Sequence, residues 1–391
     1  MKVLLIDVNC KHSSTGKIVY DLYTELNNSG NEAAVCYGRG PLVKEKNIFK
    51  FGLDIETYFH AGMSRLTGLM GFFSIVSTMR LISFMRKFKP DVVHIHELHA
   101  YFVNYGPVIS FLKKNNIKTV WTFHCEFMYT GKCGYAYECE KWKSECNRCP
   151  QLKEYPKSLI FDFSRFMFKY KVNLFNGFNN LTIVTPSEWL ANRVKRSFLS
   201  NKDVMVINNG IDTSVFYPRS TELLRKKHGF IDEKIVLTVA PNLLSERKGG
   251  KIVLELASRL EQENIKFIMI GIENPEVVNR NNVIALGKTS NQSELADYYS
   301  LADLFFLSSK IENYPTTCLE SISCGTPVLA FDVGGTKEIV EKFGKCINVN
   351  RRSELENIII GMLSYKSDNF GKQSVFSKNR MINDYLRLYQ L

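Results

Sequence analysis

The residues most suited to chemistry lie in one short stretch of the second half of the chain, around a pair of glutamates. A predicted strand is followed by a short loop that carries Glu312, and Pro315 stands where the next helix is expected to begin. Proline suits the first position of a helix because its missing N–H would be unpaired there. Unpaired backbone amides over 313–317, together with the helix dipole, would attract an anion such as a diphosphate.

Two carboxylates beside an anion site make chemical sense if they bind hydroxyl groups. Glu312 lies in front of the predicted site, where it can accept hydrogen bonds from a sugar hydroxyl. Glu320 lies further along the same helix, where it can bind both hydroxyls of a ribose. The spacing therefore favours a ligand that combines a diphosphate with sugars. The alternative is that the two glutamates are unrelated surface residues.

The first half of the chain contains parts of two familiar nucleotide-binding motifs, but neither motif is complete. Thr15-Gly16-Lys17 resembles the end of a P-loop, but Lys11 replaces the first glycine and Ile18 replaces the serine or threonine. Gly38-Arg39-Gly40 does not continue into a dinucleotide fingerprint. ATP hydrolysis and NAD chemistry therefore lack their usual sequence support. Gly16 is still a candidate binding residue, because a small residue near a helix start lets a ligand approach the backbone; the alternative is a simple helix start.

Four of the ten cysteines lie close together in the sequence. They are Cys133, Cys139, Cys146 and Cys149. Four thiolates can hold a structural zinc ion in a tetrahedral site, and the last two have the spacing of a zinc knuckle. Free thiols and disulfides are the alternatives, although a disulfide framework is unusual in a cytoplasmic chain.

Three histidines, His94, His96 and His99, cluster at the end of another predicted strand. We expect them to line a cleft or to be structural, because no further acidic ligand accompanies them in a recognised metal-binding arrangement. The sequence also lacks a D-x-D motif, which is consistent with chemistry that needs no metal ion.

The elements that must position these residues follow a regular alternation of short apolar, β-branched runs and longer helical patterns. This alternation predicts parallel sheets covered by helices on both faces. The predicted strands are Val3–Val8, Ala33–Tyr37, Val92–His96, Lys118–Phe123, Thr182–Thr185, Ile235–Ala240, Phe267–Gly271, Val283–Leu286, Leu304–Leu307 and Val328–Phe331. The predicted helices are Lys17–Asn28, Tyr58–Lys87, Phe102–Lys114, Leu159–Phe178, Glu188–Phe198, Gly250–Gln262, Glu294–Ser300 and Thr316–Cys324.

Turn-forming residues at 208–218 divide the chain into two such series. We predict an α/β architecture of two doubly wound, Rossmann-like domains with a ligand-binding cleft between them. The predicted divisions are an N-terminal domain at 1–205, a linker at 206–218, a C-terminal domain at 219–370 and a C-terminal helix at 371–391. We expect this last helix to pack back on the N-terminal domain.

Composition and charge limit the class of protein. The 391 residues are 45% hydrophobic and 23% charged, which is typical of globular domains. A chain of this length is longer than one hydrophobic core usually serves. The apolar run Val3–Ile6 is too short for a signal peptide and Leu66–Met79 is too short for a spanning helix, so we expect a soluble cytoplasmic protein. The net charge of +12 favours anionic partners, but no nucleic-acid recognition motif accompanies it.

One basic stretch predicts peripheral contact with an anionic membrane, at the inner face of the plasma membrane. In a predicted helix, four basic residues alternate with four apolar ones: Arg80, Arg86, Lys87 and Lys89 with Leu81, Ile82, Phe84 and Phe88. Such a helix can lie on a lipid surface. The alternative is an ordinary helix whose apolar side is buried.

Several motifs, in order along the chain, resemble the large retaining glycosyltransferase family 4 (GT4), whose members have the GT-B fold. The matching segments are Asn208–Pro218 (N-G-I-D…F-x-P), Tyr298–Asp303, the E-x7-E pair Glu312 and Glu320, Cys324–Val328 (C-G-T-P-V) and Gly334–Val340 (G-G-x-x-E-I-V). The resemblance covers nearly the whole chain. It is specific for a family and not for a substrate.

The resemblance also implies a basic pair that binds the diphosphate of a sugar donor. Lys248 matches the lysine of the pair, whereas Asn242 stands where the family usually has arginine. Arg247 can supply a second charge. If the segment were helical, however, the side chains of Arg247 and Lys248 would point in different directions around the helix axis, because the two residues are neighbours in the chain. A cation there would neutralise charge that develops on the departing diphosphate.

In the N-terminal domain, Thr122-Phe123-His124 resembles the family's T-x-H-D segment, with Cys125 in place of the acidic residue. The resemblance places His124 near the anomeric centre of the sugar. The cysteine group, followed by Pro150-Gln151-Leu152, resembles a loop of some bacterial surface-polysaccharide enzymes of this family and is expected to shape the acceptor side.

The resemblance thus implies a retaining glycosyltransferase that moves a sugar from a UDP- or GDP-linked donor to a glycan or lipid-linked oligosaccharide in capsule or exopolysaccharide biosynthesis, with no catalytic cofactor. The N-terminal domain would bind the acceptor and the C-terminal domain the nucleotide sugar. The implied catalytic residues are His124, Lys248 and Glu312. The implied donor-binding residues are Gly16, Asn242, Arg247, Lys248, Glu312, Asn313, Tyr314, Pro315, Thr316 and Glu320. A UDP-sugar epimerase of GT-B fold and a non-catalytic binding partner are the alternatives.

Overall fold

The computed structural model describes residues 1–278, 280–364 and 374–391. They divide into two units, the first formed by Met1–Asn208 with Ile382–Leu391 and the second by Asn209–Met381. Each unit is built around a parallel β-sheet, so the predicted α/β class is confirmed.

The first unit has a sheet whose neighbouring strands all run parallel. Its strands are β1 (Lys2–Asp7), β2 (Glu32–Tyr37), β3 (Ile48–Lys50), β4 (Val92–Ile95), β5 (Lys118–Thr122), β6 (Leu181–Thr185) and β7 (Asp203–Val206). Its helices are α1 (Ser13–Asn28), α2 (Asp54–Thr67), α3 (Ile75–Phe88), α4 (Tyr105–Lys114), α5 (Ser164–Phe175) and α6 (Glu188–Lys195). The strand order β3-β2-β1-β4-β5-β6-β7 reverses between β1 and β4.

The second unit repeats this plan. Its helices are α7 (Glu222–His228), α8 (Gly250–Arg259), α9 (Gln292–Leu301), α10 (Thr316–Ser323), α11 (Thr336–Val340) and α12 (Leu355–Ser364). Its strands are β8 (Lys234–Val239), β9 (Ile265–Ile270), β10 (Val283–Leu286), β11 (Leu304–Leu307), β12 (Val328–Phe331) and β13 (Gly344–Ile347). The parallel order β10-β9-β8-β11-β12-β13 reverses between β8 and β11.

Successive residues of the second sheet pack on opposite faces. On β11, Phe305 and Leu307 belong to one buried cluster, whereas Leu304 and Phe306 belong to another. Side chains of a strand alternate between the two faces of its sheet, and both faces here are covered. The middle of the sheet therefore offers little space for charged groups, and the loops at the strand ends are the places where they can gather.

The predicted long helix Tyr58–Lys87 is wrong, because the structure has α2 and α3 in its place. Gly68 ends α2 in the left-handed conformation, with φ of 79° and its N–H donated to the Ser64 carbonyl over 2.7 Å. Leu81 and Phe88 of α3 are buried in the core, so the basic stretch is a helix with a buried apolar side. Among the described residues, no helix combines the length and hydrophobicity needed to cross a bilayer.

The structure divides the chain at different places from those predicted for the linker and the last helix. Val206 ends β7, and Ile211 and Phe216 are buried in the core of the second unit, so 206–218 is not a separate linker. The predicted boundary between 370 and 371 lies outside the described residues. The last helix, α13 (Lys378–Gln390), contributes its residues from 382 onward to the first unit.

The end of α13 is bound to the first sheet by hydrogen bonds. The hydroxyl of Tyr389 lies 2.6 Å from Nδ1 of His94, and the hydroxyl of Tyr385 lies 2.9 Å from Oγ1 of Thr122. Nε2 of His94 also contacts Oγ1 of Thr122 at 2.8 Å. His94 is fully buried in this network, which agrees with a structural role.

Truncation of a core side chain on β8 is expected to destabilise the second unit. Leu237 is fully buried, and Leu237→Ala should lower the free energy of unfolding by about 2–5 kcal/mol, because it removes buried methyl groups and leaves a cavity. Urea unfolding followed by circular dichroism measures this loss. Leu223→Ala, at a position 86% exposed in the same unit, is the matched control and should cost less than about 0.5 kcal/mol. Equal losses would contradict the assigned burial.

Candidate active site

The loops that follow β8 and β11 open at the same edge of the second sheet. The strand order reverses between these two strands, and such a reversal creates a crevice beyond their carboxyl ends. The first loop carries Asn242, Arg247 and Lys248, and the second carries Glu312. Strand order therefore brings together residues that lie more than sixty positions apart in the chain.

Lys248 and Glu312 form an ion pair between these loops. Nζ of Lys248 lies 2.5 Å from Oε1 of Glu312, and Nη1 of Arg247 lies 3.7 Å from the same oxygen. The N–H of Lys248 donates to the Ser245 carbonyl, so this segment is a turn and not a helix. Adjacent basic residues can therefore reach one carboxylate. Two cations lie beside Glu312 although Asn242 replaces the expected arginine.

Close approaches of the backbone hold the loops in this arrangement. Gly249 has φ of +71°, and a Cβ atom there would lie 2.1 Å from the Ser308 carbonyl oxygen. The hydroxyl of Ser308 donates to the Lys248 carbonyl over 2.8 Å. Gly334 has φ of +60°, and a Cβ atom there would lie 1.6 Å from the Glu312 carbonyl oxygen. Glycine at both positions thus permits the contacts that support the ion pair.

The segment after Glu312 leads into α10. The helix begins at Thr316, and Pro315 is its N-cap and not its first residue as predicted, because its ψ of 113° is extended. A proline side chain has no hydrogen-bonding atom, so it cannot cap the first-turn amides. Asn313 and Tyr314 are buried, and burial raises the pKa of Tyr314 to about 12, so its phenol stays protonated.

Glu320 lies on the buried side of α10. Its Oε2 accepts a hydrogen bond of 3.0 Å from the hydroxyl of Tyr299, which is fully buried on α9. Burial, together with the nearby Glu320, raises the pKa of Tyr299 well above its usual range, so the phenol is the donor. This contact orients the carboxylate.

Asn242 lines a cavity at the ends of β8 and β9. The cavity has a volume of about 380 Å³, and Leu243, Ser245, Ile272 and Asn274 also line it. Asn242 itself has φ of 50°, a left-handed conformation that asparagine adopts more readily than most residues. A volume of this size is within the range of small-molecule sites.

In the first unit, ionisable side chains gather where β1, β4 and β5 end. Asp7 ends β1, His96 follows β4 and His124 follows β5. Nδ1 of His96 lies 3.0 Å from Nε2 of His124. Burial lowers the pKa of His124 to about 4 and that of His96 well below its usual range. Both imidazoles are therefore neutral at pH 7, and each can donate from one nitrogen and accept at the other.

One of the three predicted histidines, His99, has an acidic partner that was not predicted from the sequence. Glu97 forms an ion pair with His99, whose Nε2 lies 3.1 Å from Sγ of Cys125 and whose Nδ1 lies 3.1 Å from the hydroxyl of Tyr155. Burial favours the neutral form of His99, but Glu97, Tyr155 and Cys125 outweigh it and raise the pKa of His99 well above its usual range. The sequence offered one indication of this contact, because Glu97 lies between His96 and His99 in the chain.

Glu97, His99 and Cys125 also form a group that could hold a metal ion. Their ligand atoms all lie within 4.8 Å of one another, and they are the one group of three or more such residues found in the described part of the chain. A metal ion would have to displace the proton of His99, which already pairs with Glu97. We therefore assign the group as an ion pair beside a thiol.

No disulfide joins the four clustered cysteines in the described part of the chain. Sγ of Cys133 lies 3.9 Å from Sγ of Cys149, a separation that suits two ligands of one zinc ion at about 2.3 Å each. Sγ of Cys146 instead accepts a hydrogen bond from the Gly131 N–H over 3.2 Å. Within the described residues, Cys139 and Cys146 do not complete a group of three with mutual distances below 4.8 Å. The structural zinc ion therefore stays a prediction.

Gly16 and Asp7 lie close together near the start of α1. A Cβ atom on Gly16 would lie 2.2 Å from Oδ1 of Asn9 and 3.0 Å from the Asn9 carbonyl oxygen, so the preceding loop packs closely against this position. Oγ1 of Thr15 donates to Oδ2 of Asp7 over 3.1 Å, whereas Oδ1 of Asp7 is buried without a hydrogen-bond partner in the described part of the chain. Burial and the nearby Glu97 raise the pKa of Asp7 to about 8.

Comparison with known proteins identifies the family. Residues 15–215 match the family described as "Glycosyltransferase Family 4", and residues 220–379 match "Glycosyl transferases group 1". The chain belongs to glycosyltransferase family 4. The predicted resemblance is confirmed, and with it the class of enzyme.

Relatives of this glycosyltransferase extend over its whole length. It is 24% identical over 416 residues to WcaC of Escherichia coli (strain K12), which is named as a colanic acid biosynthesis glycosyl transferase, with 100% of each chain covered. Sucrose-phosphate synthase from Thermosynechococcus elongatus superposes with a TM-score of 0.71 at 18% identity, over 100% of this chain and 98% of the other. HepE of Anabaena in complex with UDP-glucose superposes with a TM-score of 0.66 at 16% identity, over 100% of each chain. These structures confirm the GT-B fold.

Substitution of Gly334 is expected to disturb the Glu312 loop of the glycosyltransferase. Gly334→Ala would place Cβ against the Glu312 carbonyl at a φ of +60°, and such strain costs about 1–3 kcal/mol of the free energy of unfolding. Gly361→Ala is the matched control, because its Cβ would meet no atom within 4 Å on the helix α12. The control should gain about 0.5–1 kcal/mol. Similar changes in urea unfolding for the two variants would contradict the close approach.

The raised pKa of Asp7 predicts a pH-dependent stability. Its pKa rises from 3.8 to about 8 on burial, so folding favours the protonated carboxyl, and this contribution is lost as the pH rises from about 4 to about 8. Asp7→Asn keeps the shape without the charge, so the variant should gain stability relative to wild type across this range. Urea unfolding at several pH values measures the difference. Asp232→Asn, at an exposed position, is the control, and a pH-independent difference for Asp7→Asn would refute the assignment.

Proposed function

We propose that this family 4 enzyme is a retaining transferase that moves a sugar from a UDP- or GDP-linked donor to a glycan or lipid-linked oligosaccharide acceptor in surface polysaccharide biosynthesis. The observation that carries the proposal is the Lys248–Glu312 ion pair, with Arg247 beside it and α10 close behind. Cations and helix amides suit a diphosphate, and a carboxylate suits sugar hydroxyls. The UDP-glucose bound to the similar HepE supports a nucleotide sugar as donor.

In the proposed reaction, the bond between the anomeric carbon and the diphosphate oxygen breaks. The acceptor oxygen forms a bond to the same carbon on the same face, and its proton passes to the departing diphosphate. Lys248 exchanges its contact with Glu312 for the diphosphate and neutralises the developing charge. Glu312 then accepts hydrogen bonds from a sugar hydroxyl. A pair of carboxylates at glycosidase spacing is not required.

The remaining predicted residues are assigned by their surroundings. The cavity beside Asn242 is proposed to receive the nucleoside, because it lies at the ends of β8 and β9, next to the turn that carries Lys248. Glu320, oriented by Tyr299, is proposed to bind the ribose hydroxyls. In the first unit, His124 is proposed to bind a sugar hydroxyl, since a neutral imidazole both donates and accepts.

The most specific parts of the proposal concern the acceptor and the location of the enzyme. Similarity to WcaC over the whole chain supports an acceptor from surface polysaccharide biosynthesis, because WcaC is named for colanic acid biosynthesis. A lipid-linked acceptor would place the enzyme at the inner face of the plasma membrane, and the net charge of +12 supports contact with anionic lipid there.

The donor site is tested by calorimetric titration of a panel of UDP- and GDP-sugars, with transfer assayed against lipid-linked and soluble glycan acceptors. Lys248→Ala should weaken binding of the preferred donor by about 10-fold to 100-fold, because it removes a charge-assisted contact to the diphosphate. Glu312→Gln should lower kcat/KM by a similar factor, since the charged acceptor for a sugar hydroxyl is lost.

Lys251→Ala is the matched control, because Lys251 is an exposed lysine three residues further along the chain. Equal weakening by Lys248→Ala and Lys251→Ala would show a general charge effect and contradict the assigned site. Donor binding without transfer to any acceptor would favour a non-catalytic binding partner. Transfer with inversion at the anomeric carbon would overturn the proposed stereochemistry.

A further inference from the structure

The first unit exposes an unusual concentration of large apolar side chains. Those on α2, at the start of α3 and at residues 159–166 form what we call the apolar face. Nine of them are between 51% and 80% exposed: Ile55, Tyr58, Phe59, Ile75, Val76, Met79, Leu159, Ile160 and Phe161. Large exposed apolar surfaces on a folded unit usually mark an interaction site.

Backbone contacts make the apolar face one continuous surface. The N–H of Leu159 donates to the Arg65 carbonyl over 2.7 Å, which joins the 159–166 segment to the end of α2. The carboxylate of Glu56 on α2 accepts the N–H groups of Val76 and Ser77 over 2.9 and 2.8 Å, which joins α2 to the start of α3. The three segments therefore expose their apolar side chains next to one another.

The helix α2 buries polar side chains and exposes apolar ones, the reverse of an ordinary surface helix. Its buried residues are Thr57, His60 and Ser64. His60 is held by Ser74 Oγ, 2.7 Å from its Nδ1, and by the N–H of Gly71, which donates to its Nε2 over 2.9 Å. His60 and Ser64 thus have hydrogen-bond partners inside the unit, whereas Oγ1 of Thr57 is buried without one in the described part of the chain. Ile55, Tyr58 and Phe59 are exposed and do not contribute to the core of the unit. Their apolar character therefore indicates contact with an external partner.

Charge identifies the chemistry of that partner. Three exposed basic residues, Arg65 on α2 and Lys153 and Lys157 shortly before Leu159, adjoin the apolar face along the chain, and they outnumber the exposed Glu154 among them. Two nearby acidic residues are engaged by backbone, since Glu56 accepts from α3 and Asp162 accepts the N–H of Ser164 over 2.9 Å. A symmetric dimer through this face would bring the basic side chains of two copies together and would be opposed by repulsion. An anionic lipid surface would attract the same side chains.

We propose that the apolar face docks the enzyme on an anionic lipid bilayer. The aromatic and aliphatic side chains enter the boundary between head groups and acyl chains, and the basic side chains lie over the anionic head groups. This inference deepens the membrane contact of the proposed function and moves it from the basic stretch of α3 to α2 and residues 159–166. It needs no contribution from Leu81 or Phe88, which are buried.

Flotation of the full chain with vesicles tests the proposal. Wild type should float with vesicles of phosphatidylcholine and phosphatidylglycerol, and much less with phosphatidylcholine alone. Replacing Tyr58, Phe59, Ile160 and Phe161 by serine should reduce the bound fraction at least 10-fold. The matched control, Leu223→Ser with Ile231→Ser, changes residues 86% and 87% exposed in the second unit and should float like wild type. Lys153→Glu with Lys157→Glu should remove the preference for the anionic vesicles.

A second variant reports directly on insertion. The tryptophan fluorescence of Phe161→Trp should shift to shorter wavelength on anionic vesicles and be quenched by lipids brominated in the acyl chain. An unchanged spectrum, or wild-type flotation of the serine variant, would overturn the proposal. Conversion of a wild-type dimer to a monomer by the serine variant, without loss of vesicle binding, would identify the face as an interface between copies.

Donor binding separates this inference from the proposed function. The serine variant should bind its nucleotide sugar and glycosylate a soluble acceptor as wild type does, because its changes lie on the outer surface. Loss of flotation with donor binding intact supports the docking surface. Intact flotation in Lys248→Ala, together with lost donor binding, would show that the two sites act independently.

Discussion

Coverage of both faces of each parallel sheet leaves few places for charged groups. Every residue of β11 and β12 is buried, so these strands can carry only apolar side chains. The ionisable groups of the candidate site therefore lie at strand ends and in the loops that follow them, and the reversal of strand order decides which loops share an edge. The Lys248–Glu312 pair in one unit and the Asp7–His124 region in the other both lie at such reversals.

Charges at these edges are paired or neutralised, because an isolated charge with little access to water is costly. Lys248 pairs with Glu312 and His99 pairs with Glu97, whereas burial keeps His124 neutral. A ligand that separates Lys248 from Glu312 must offer each a new partner. A diphosphate that carries a sugar does so, whereas phosphate alone would leave Glu312 without a replacement. The ion pair thus favours ligands with both groups.

The exposed apolar side chains of α2 are not explained by packing within the first unit. A helix that buries Thr57, His60 and Ser64 gives up part of the usual hydrophobic stabilisation and needs hydrogen bonds to satisfy those groups. The exposed Tyr58 and Phe59 are then available for an external surface. A sugar acceptor with a lipid anchor would reach an enzyme held at that surface without leaving the bilayer.

The amino-acid sequence by itself determined ten of the thirteen strands of the described residues to within two positions, because buried runs between turn residues have a clear period. Val283–Leu286, Leu304–Leu307 and Val328–Phe331 are strands over the predicted residues, whereas the short edge strands β3, β7 and β13 each contain a charged residue that shortens the apolar run by which a strand is predicted. Motifs also indicated the family. Only the tertiary structure joined Arg247 and Lys248 to one carboxylate and Glu97 to His99 and Cys125. These contacts depend on strand order and loop conformation, which bring distant residues together and leave no local pattern.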